Sequence, residues 1–222
     1  MSAIWHRLCS RHALFNGRTF CATSTTPGHV RGYWSEYRRA AAQSENPALF
    51  RQIRHRGLAV CGLLFCPDGL LLGRREPNSV YQPGIWQCPP AGSVDIGAAV
   101  PGGADWRRSL LAELEEELGL GTADVRDMTP LCLVQHPSGV LDLGIRMWTP
   151  LGAAELGARH ARSGNGEYDR LLVVPPGQVD EVVAAQGGTL SESTRRMVAM
   201  LHAGPDPAGM GGDGIEPPTL SV

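Results

Sequence analysis

Four glutamates, Glu113, Glu115, Glu116 and Glu117, fall within five positions of the chain. On a helix, like charges three and four apart repel by roughly a few tenths of a kcal/mol per pair, and a divalent cation that prefers oxygen ligands relieves that repulsion. Mg²⁺ suits such a set because it takes one or two protein carboxylates, keeps waters and completes its shell with substrate phosphates. An acidic helix face taken alone is more often a solvated surface, so the surrounding residues decide between the two readings. At about 100° per residue, Leu110, Leu111, Leu114 and Leu118 gather on one face, while Glu113, Glu116 and Glu117 gather on a neighbouring one. Asp105 stands where an N-cap is wanted and Gly119 where a C-cap glycine ends a helix. The pattern predicts a helix over 104–120, bounded by its own sequence.

Upstream, Gly84-Ile-Trp-Gln-Cys-Pro-Pro-Ala-Gly92 reads as an apolar strand running into a Pro/Gly loop. With that loop in front of it, the helix resembles the Nudix hydrolase family. The family's box runs Gly, five residues, Glu, seven residues, then Arg-Glu-apolar-x-Glu-Glu-x-Gly-apolar. Glu113-Leu114-Glu115-Glu116-Glu117-Leu118-Gly119-Leu120 matches its second half without a gap, and Gly92 matches its opening glycine. Two departures stand out. The box arginine, which in the family helps orient the metal-binding carboxylates, falls on Ala112. The loop from Gly92 to the helix is six residues longer than the pattern, around 98–103, and leaves the first box glutamate without a counterpart. Arg108 lies one turn before Ala112 and is the candidate substitute.

The resemblance implies an α+β chain, an α/β/α sandwich with a mixed central sheet and the loop-helix. It implies Glu113, Glu116 and Glu117 as ligands of Mg²⁺, with Mn²⁺ as the alternative. Glu116 and Glu117 would then serve catalysis, and Gly92 would let the loop approach the metal site. Family members also carry an acidic residue in the loop before a late strand. Glu167, in Gly166-Glu-Tyr-Asp-Arg170, is the match, with Asp169 behind it. Arginines near the end of an early strand often face the substrate in the family, which singles out Arg74 and Arg75. Arginine's planar fork suits phosphate oxygens, although an exposed pair at a strand end is the plain alternative. Trp86 is read between core packing and stacking on the substrate.

The chain has 222 residues, enough for one domain with flanking segments. We expect an N-terminal extension over 1–50, partly disordered or dimer-forming, a Nudix domain over 51–203 and a disordered tail over 204–222. A net charge of −2 argues against a nucleic-acid surface, and no apolar run approaches the length of a membrane span. No lysine occurs, so Schiff-base chemistry and a P-loop lysine are excluded. Six scattered cysteines without a CxxC pair read as reduced thiols of a cytoplasmic protein. The acid-free first 35 residues superficially resemble a transit peptide, but the lysine-free, Gly- and Ala-rich composition favours a bacterial extension.

Along the chain, Pro67-Asp68-Gly69 between apolar runs predicts a hairpin, and Pro137-Ser138-Gly139 predicts a second. Residues 33–53 hold a short helix, Tyr81 is a candidate lip residue, and Asp95 is a turn former or a distant ligand. His136 reads as an exposed turn histidine or a phosphate donor, and Arg159, His160 and Arg162 as candidate anion contacts. The function implied by the resemblance is Mg²⁺-dependent hydrolysis of a diphosphate linkage in a nucleoside diphosphate derivative or related organic pyrophosphate, a small-molecule substrate. The competing readings are a catalytically weak ligand-binding module, favoured by Ala112, an isopentenyl-diphosphate-isomerase-like enzyme using Cys88, and a plain α+β domain. The isomerase's Ser-His-Pro segment is missing, with Pro89-Pro90-Ala91-Gly92 in its place.

Overall fold

The computed structural model describes residues 1–203 and 219–221. The chain opens with α1 (Ser2–Cys9), the hairpin β1 (Arg18–Thr26) and β2 (His29–Glu36), then α2 (Tyr37–Glu45) and α3 (Phe50–Ile53). The domain follows with β3 (Leu58–Cys66), β4 (Gly69–Arg75), β5 (Trp86–Gln87) and β6 (Ala91–Ser93). A short hairpin, β7 (Ala99–Val100) and β8 (Gly103–Ala104), precedes α4 (Trp106–Leu118). The remaining elements are β9 (Met128–Gln135), β10 (Leu141–Trp148), α5 (Ala153–Ser163), β11 (Tyr168–Val174), α6 (Val179–Gln186), α7 (Glu192–Ala203) and β12 (Thr219–Ser221).

The larger sheet runs β11-β4-β3-β10-β9, with β5 beside β4 and β6 beside β3. β3 and β10 are parallel and their other neighbours antiparallel, so the sheet is mixed. Both predicted hairpins form, with Cys66 paired to Gly69 across the first turn and β9 paired to β10 across the second. Successive strand residues face opposite sides, and each side meets a helix layer. Leu58, Val60 and Leu64 of β3 pack with Trp106, Leu110, Leu114 and Leu118 of α4 and with Leu156 of α5. Leu63, Leu70 and Leu72 pack on the opposite side with Met197 and Val198 of α7. This is the expected α/β/α sandwich. Ser191 caps α7 by accepting from Thr194 N–H at 3.1 Å.

The first 50 residues, expected as an extension, have structure of their own. They hold a helix, a hairpin and a second helix on their own domain, and Phe20 is fully buried in the core with Val60 and Leu110. Sequence periodicity is weak here because β1 buries only its first half, from Thr19 to Ala22, while residues 23–26 are exposed. The segment is stitched to the domain through Phe20 N–H to Val94 O and Ala22 N–H to Arg56 O, both 2.8 Å. Of the expected tail over 204–222, residues 204–218 and 222 lie outside the described residues. Residues 219–221 form β12, between β2 and β8.

The six extra loop residues also acquire a place. They build the β7-β8 hairpin, and β8 pairs with β12, giving a second sheet of order β1-β2-β12-β8-β7. The N-terminal hairpin, the loop insertion and the chain's last strand are therefore one structural unit.

Candidate active site

α4 is bounded as its sequence predicts. The Asp105 carboxylate accepts from Arg107 N–H at 3.0 Å, and Gly119 closes the helix in the left-handed conformation at φ 66°. Leu110, Leu114 and Leu118 anchor the helix in the core, which aims the residues between them at the loop before it. Glu117 is fully buried: one carboxylate oxygen accepts from Ala91 N–H at 3.0 Å, and the other lies 3.4 Å from the Tyr168 hydroxyl. That hydroxyl in turn accepts from Gln87 Nε2 at 2.6 Å. One turn earlier, the Glu113 carboxylate lies so close to Gly92 that a Cβ there would stand 1.7 Å from its Oε1.

Glu113, Gly92 and Arg75 share a cavity of about 460 Å³ with Glu167. Arg75 Nη1 pairs with Glu167 Oε1 at 2.5 Å, and Arg75 Nε donates to Tyr81 O at 2.7 Å. Burial and the charges of Glu167, Glu116 and Asp95 push the Glu113 carboxyl up to about 8. Burial with Glu167 and Glu113 holds Glu117 far above the ordinary carboxylate range, while Ala91 N–H and Arg75 oppose the shift. Among the described lining residues Arg75 is the one cation. One buried and two half-buried carboxylates that repel one another, with one arginine already paired, are electrostatically frustrated without further positive charge.

Of the residues singled out from sequence, the structure brings together Arg75, Gly92, Glu113 and Glu167 around the cavity, with Glu117 behind them. Glu116 is exposed on the outer side of α4, although its charge reaches Glu113. Arg74 does not face the cavity: as the strand neighbour of Arg75 it points the other way, and its Nε donates to Asp169 Oδ1 at 2.8 Å. Trp86 is not among the lining residues either. It packs in the core beside α7, and its neighbour Gln87 reaches the cavity instead. Arg108 does not replace the missing box arginine, because it is exposed and paired with Asp105 at 3.8 Å on its own helix. The cation near the glutamates comes from β4.

Other expectations are also revised. His136 is buried rather than exposed, with Nε2 2.6 Å from Asp142 Oδ2 and 2.5 Å from Ser193 Oγ. Arg159 pairs with Asp124 and Glu155. His160 bonds the Glu117 and Tyr168 carbonyls, so it braces α4 and β11. Asp95 caps a turn by accepting from Gly97 N–H at 2.8 Å. Cys88 is buried and does not line the cavity, and burial pushes its thiol up to about 12, against a role as an attacking thiolate there. Sequence reasoning passed over Tyr168, Gln87 and the α2 wall of the cavity. Tyr168 had one signal, its position between two candidate acids; Gln87 and α2 had none, since only tertiary contact places them here. Among the described residues, no three His, Cys, Asp or Glu side chains stand close enough to hold a metal ion as they are. No helix among them is long and apolar enough to cross a membrane.

No family model and no curated protein matches the chain. Solved structures do. DR0079 from Deinococcus radiodurans is 16% identical, with 66% of this chain and 83% of that one covered at a TM-score of 0.51. A Nudix hydrolase from Nitrosomonas europaea is 16% identical over 67% of this chain and 90% of its own, with a TM-score of 0.49. A MutT protein from Methanosarcina mazei Go1 is 17% identical over 68% and 96%, with a TM-score of 0.45. With its mixed sheet between two helix layers and the glutamate-bearing helix behind the Gly92 loop, the chain has the Nudix fold.

Proposed function

We propose that the chain hydrolyses the diphosphate linkage of a nucleoside diphosphate derivative or related organic pyrophosphate. The observation that carries this reading is the half-buried Glu113 carboxylate against the Gly92 loop, in one cavity with Glu167 and Arg75, with the fully buried Glu117 one turn further along α4. A divalent cation that takes only one or two protein carboxylates and keeps its waters, Mg²⁺ or Mn²⁺, fits Glu113 and Glu117; Glu116, the third residue expected from sequence, lies exposed outside the cavity lining. When bound, the cation neutralises charge on the phosphate oxygens and makes an attacking water more acidic. The chain's own residues do the rest. The Ala91 N–H and the Tyr168 hydroxyl fix the orientation of Glu117. Glu167, which lines the cavity and is oriented by Arg75, is the candidate proton acceptor. Arg75 retains N–H donors beyond those engaged by Glu167 and Tyr81, and these suit a phosphate oxygen. Gly92 leaves the space that the Glu113 carboxylate occupies.

The test is phosphate release, with a coupled phosphatase, across nucleoside triphosphates, nucleotide sugars, ADP-ribose, dinucleotides and prenyl diphosphates, with and without Mg²⁺. Metal-dependent turnover of one class is expected. Silence across the panel with metal binding intact would instead support the ligand-binding module, which the exposed Ala112 and the solvent-facing Arg108 favour.

The same carboxylates predict a pH signature. Burial and the neighbouring carboxylates push the Glu113 carboxyl up to about 8, above the roughly 4.3 of an unfolded glutamate, so between those values the folded state holds a proton that the unfolded state has released. Its contribution is therefore most favourable below about pH 4 and is lost as pH rises through 8, by on the order of a few kcal/mol. A cation selects the deprotonated form. Mg²⁺ should accordingly raise the melting temperature more near pH 8.5 than near pH 6. Equal gains at both pH values would contradict the assignment of Glu113 to the metal.

A further inference from the structure

The whole-chain charge of −2 hides a segregation of sign. Residues 1–56 hold nine arginines and two glutamates, whereas residues 57–222 hold eleven arginines and twenty aspartates and glutamates. Such an asymmetry marks the basic part as a surface for an anionic partner. It is also a structural unit, made of α1, the β1-β2 hairpin, α2 and α3. Within it Arg7 pairs with Glu45 and Arg38 with Glu36. Among the described residues none of the other seven arginines pairs with a carboxylate.

Three of those seven gather along the outer face of β2. Side chains alternate along a strand: Val30 is buried and Trp34 packs against the core, so Arg31 and Tyr33 point outward, and both are exposed. Ser35 follows on the same outward side, where His55 covers it, with Nδ1 3.5 Å from Ser35 Oγ. Exposed Arg54 is the chain neighbour of His55, and the charge of Arg39 on α2 reaches both His55 and Tyr33. At roughly 3.3 Å of rise per residue, the row from Arg31 to Ser35 is about 13 Å long. Glu36, the one carboxylate of β2, is already held by Arg38 and Asn16.

Arginine forks engage phosphate oxygens in pairs, and an exposed aromatic ring offers a flat face on which a base stacks. Repeated phosphates with bases between them match arginines set around a tyrosine. A bilayer would be met by a basic face with an apolar one beside it. Here α1 turns its apolar side chains inward, with Leu8 buried in the cavity wall and Trp5 edge-on to Tyr37. We propose that the outer face of β2, through Arg31, Tyr33, Arg39 and Arg54, binds single-stranded nucleic acid. None of the four lines the cavity, so the surface does not depend on the hydrolase reading. The net charge of the whole chain, which by itself argues against such a surface, averages over it.

The experiment is fluorescence anisotropy of the full chain with a labelled oligouridylate that ends in a 5′-hydroxyl and so offers the cavity no diphosphate. Binding is expected at low salt, and three phosphate contacts on a single strand predict an affinity loss of about 20-fold for an about fourfold rise in salt. Arg31→Ala should lower the slope of log affinity against log salt by about 0.7. Tyr33→Ala should weaken binding about tenfold with that slope unchanged, and Tyr33→Phe, which keeps the ring, should bind like the unmodified chain. Arg39→Ala repeats the slope measurement should Arg31→Ala not fold. Arg196→Ala on α7 should alter neither quantity. Absence of binding at low salt would overturn the proposal, as would a slope that no β2-face arginine changes, or one that Arg196→Ala changes equally. Tighter binding to phosphatidylserine vesicles or to polyglutamate than to the oligouridylate would also overturn it, assigning the patch to a membrane or to an acidic protein.

Discussion

Glu117→Gln is expected to lower kcat by about 10³-fold or more while leaving the protein folded. The substitution keeps the shape of the side chain and removes its charge. Glu117 is fully buried between Ala91 N–H and the Tyr168 hydroxyl, so the glutamine oxygen can satisfy only one of these donors and its amide must face the other. The cost of that mismatch, about 1–3 kcal/mol, is offset because a carboxylate held far above its ordinary pKa by burial and by Glu167 and Glu113 no longer has to ionise. The two readouts therefore separate. Turnover collapses, whereas the metal-free melting temperature at alkaline pH stays near that of the unmodified chain or rises. Near-normal turnover of a diphosphate substrate by both Glu117→Gln and Glu113→Gln would sink the assignment.

Gly92→Ala is expected to lower kcat/KM by about 10²-fold, from a single added methyl group. Its Cβ would stand 1.7 Å from Glu113 Oε1 and 2.1 Å from Cδ. No bonded geometry tolerates that approach, and the neighbour obliged to move is the carboxylate itself. Gly92 pairs with Val60 in the sheet and does not adopt a positive φ, so alanine meets no backbone penalty there. The effect is confined to where Glu113 points, and the affinity for Mn²⁺ measured by calorimetry should weaken about 10–100-fold in parallel. Unchanged metal affinity and unchanged turnover would mean that Glu113 is not a ligand.

The two departures from the family's box have different structural outcomes. The loop insertion does not disturb the glutamates. It forms β7 and β8 in the second sheet and supplies the edge on which β12 docks. The missing arginine is not replaced on α4. Arg75 of β4 opposes the charge of both Glu113 and Glu117, yet its own direct partner is Glu167. Positive charge is thus delivered to the carboxylates from across the cavity rather than from within their helix.

What could be read from sequence was local. The α4 stripe of Leu110, Leu114 and Leu118, its Asp105 and Gly119 caps and the two turn-marked hairpins rest on periodicity or turn chemistry within a few residues, whereas the roles of Glu113 and Gly92 were implied by the family resemblance. Those local features sufficed for the central helix and the hairpins, while the α/β/α architecture was what the resemblance implied. Tertiary structure decided the rest, because burial and direction depend on partners distant in the chain. Arg75 and Arg74 are alike in sequence and differ only in which side of β4 each occupies. His136 sits at a turn and would be solvated, but Ser193, 57 positions later, covers it. Residues 1–50 showed little periodicity because their apolar side chains are few and are buried against residues such as Val60, Val94 and Leu110 of the later domain. No local pattern announces that α2 will lie over a cavity whose glutamates come some seventy positions after it.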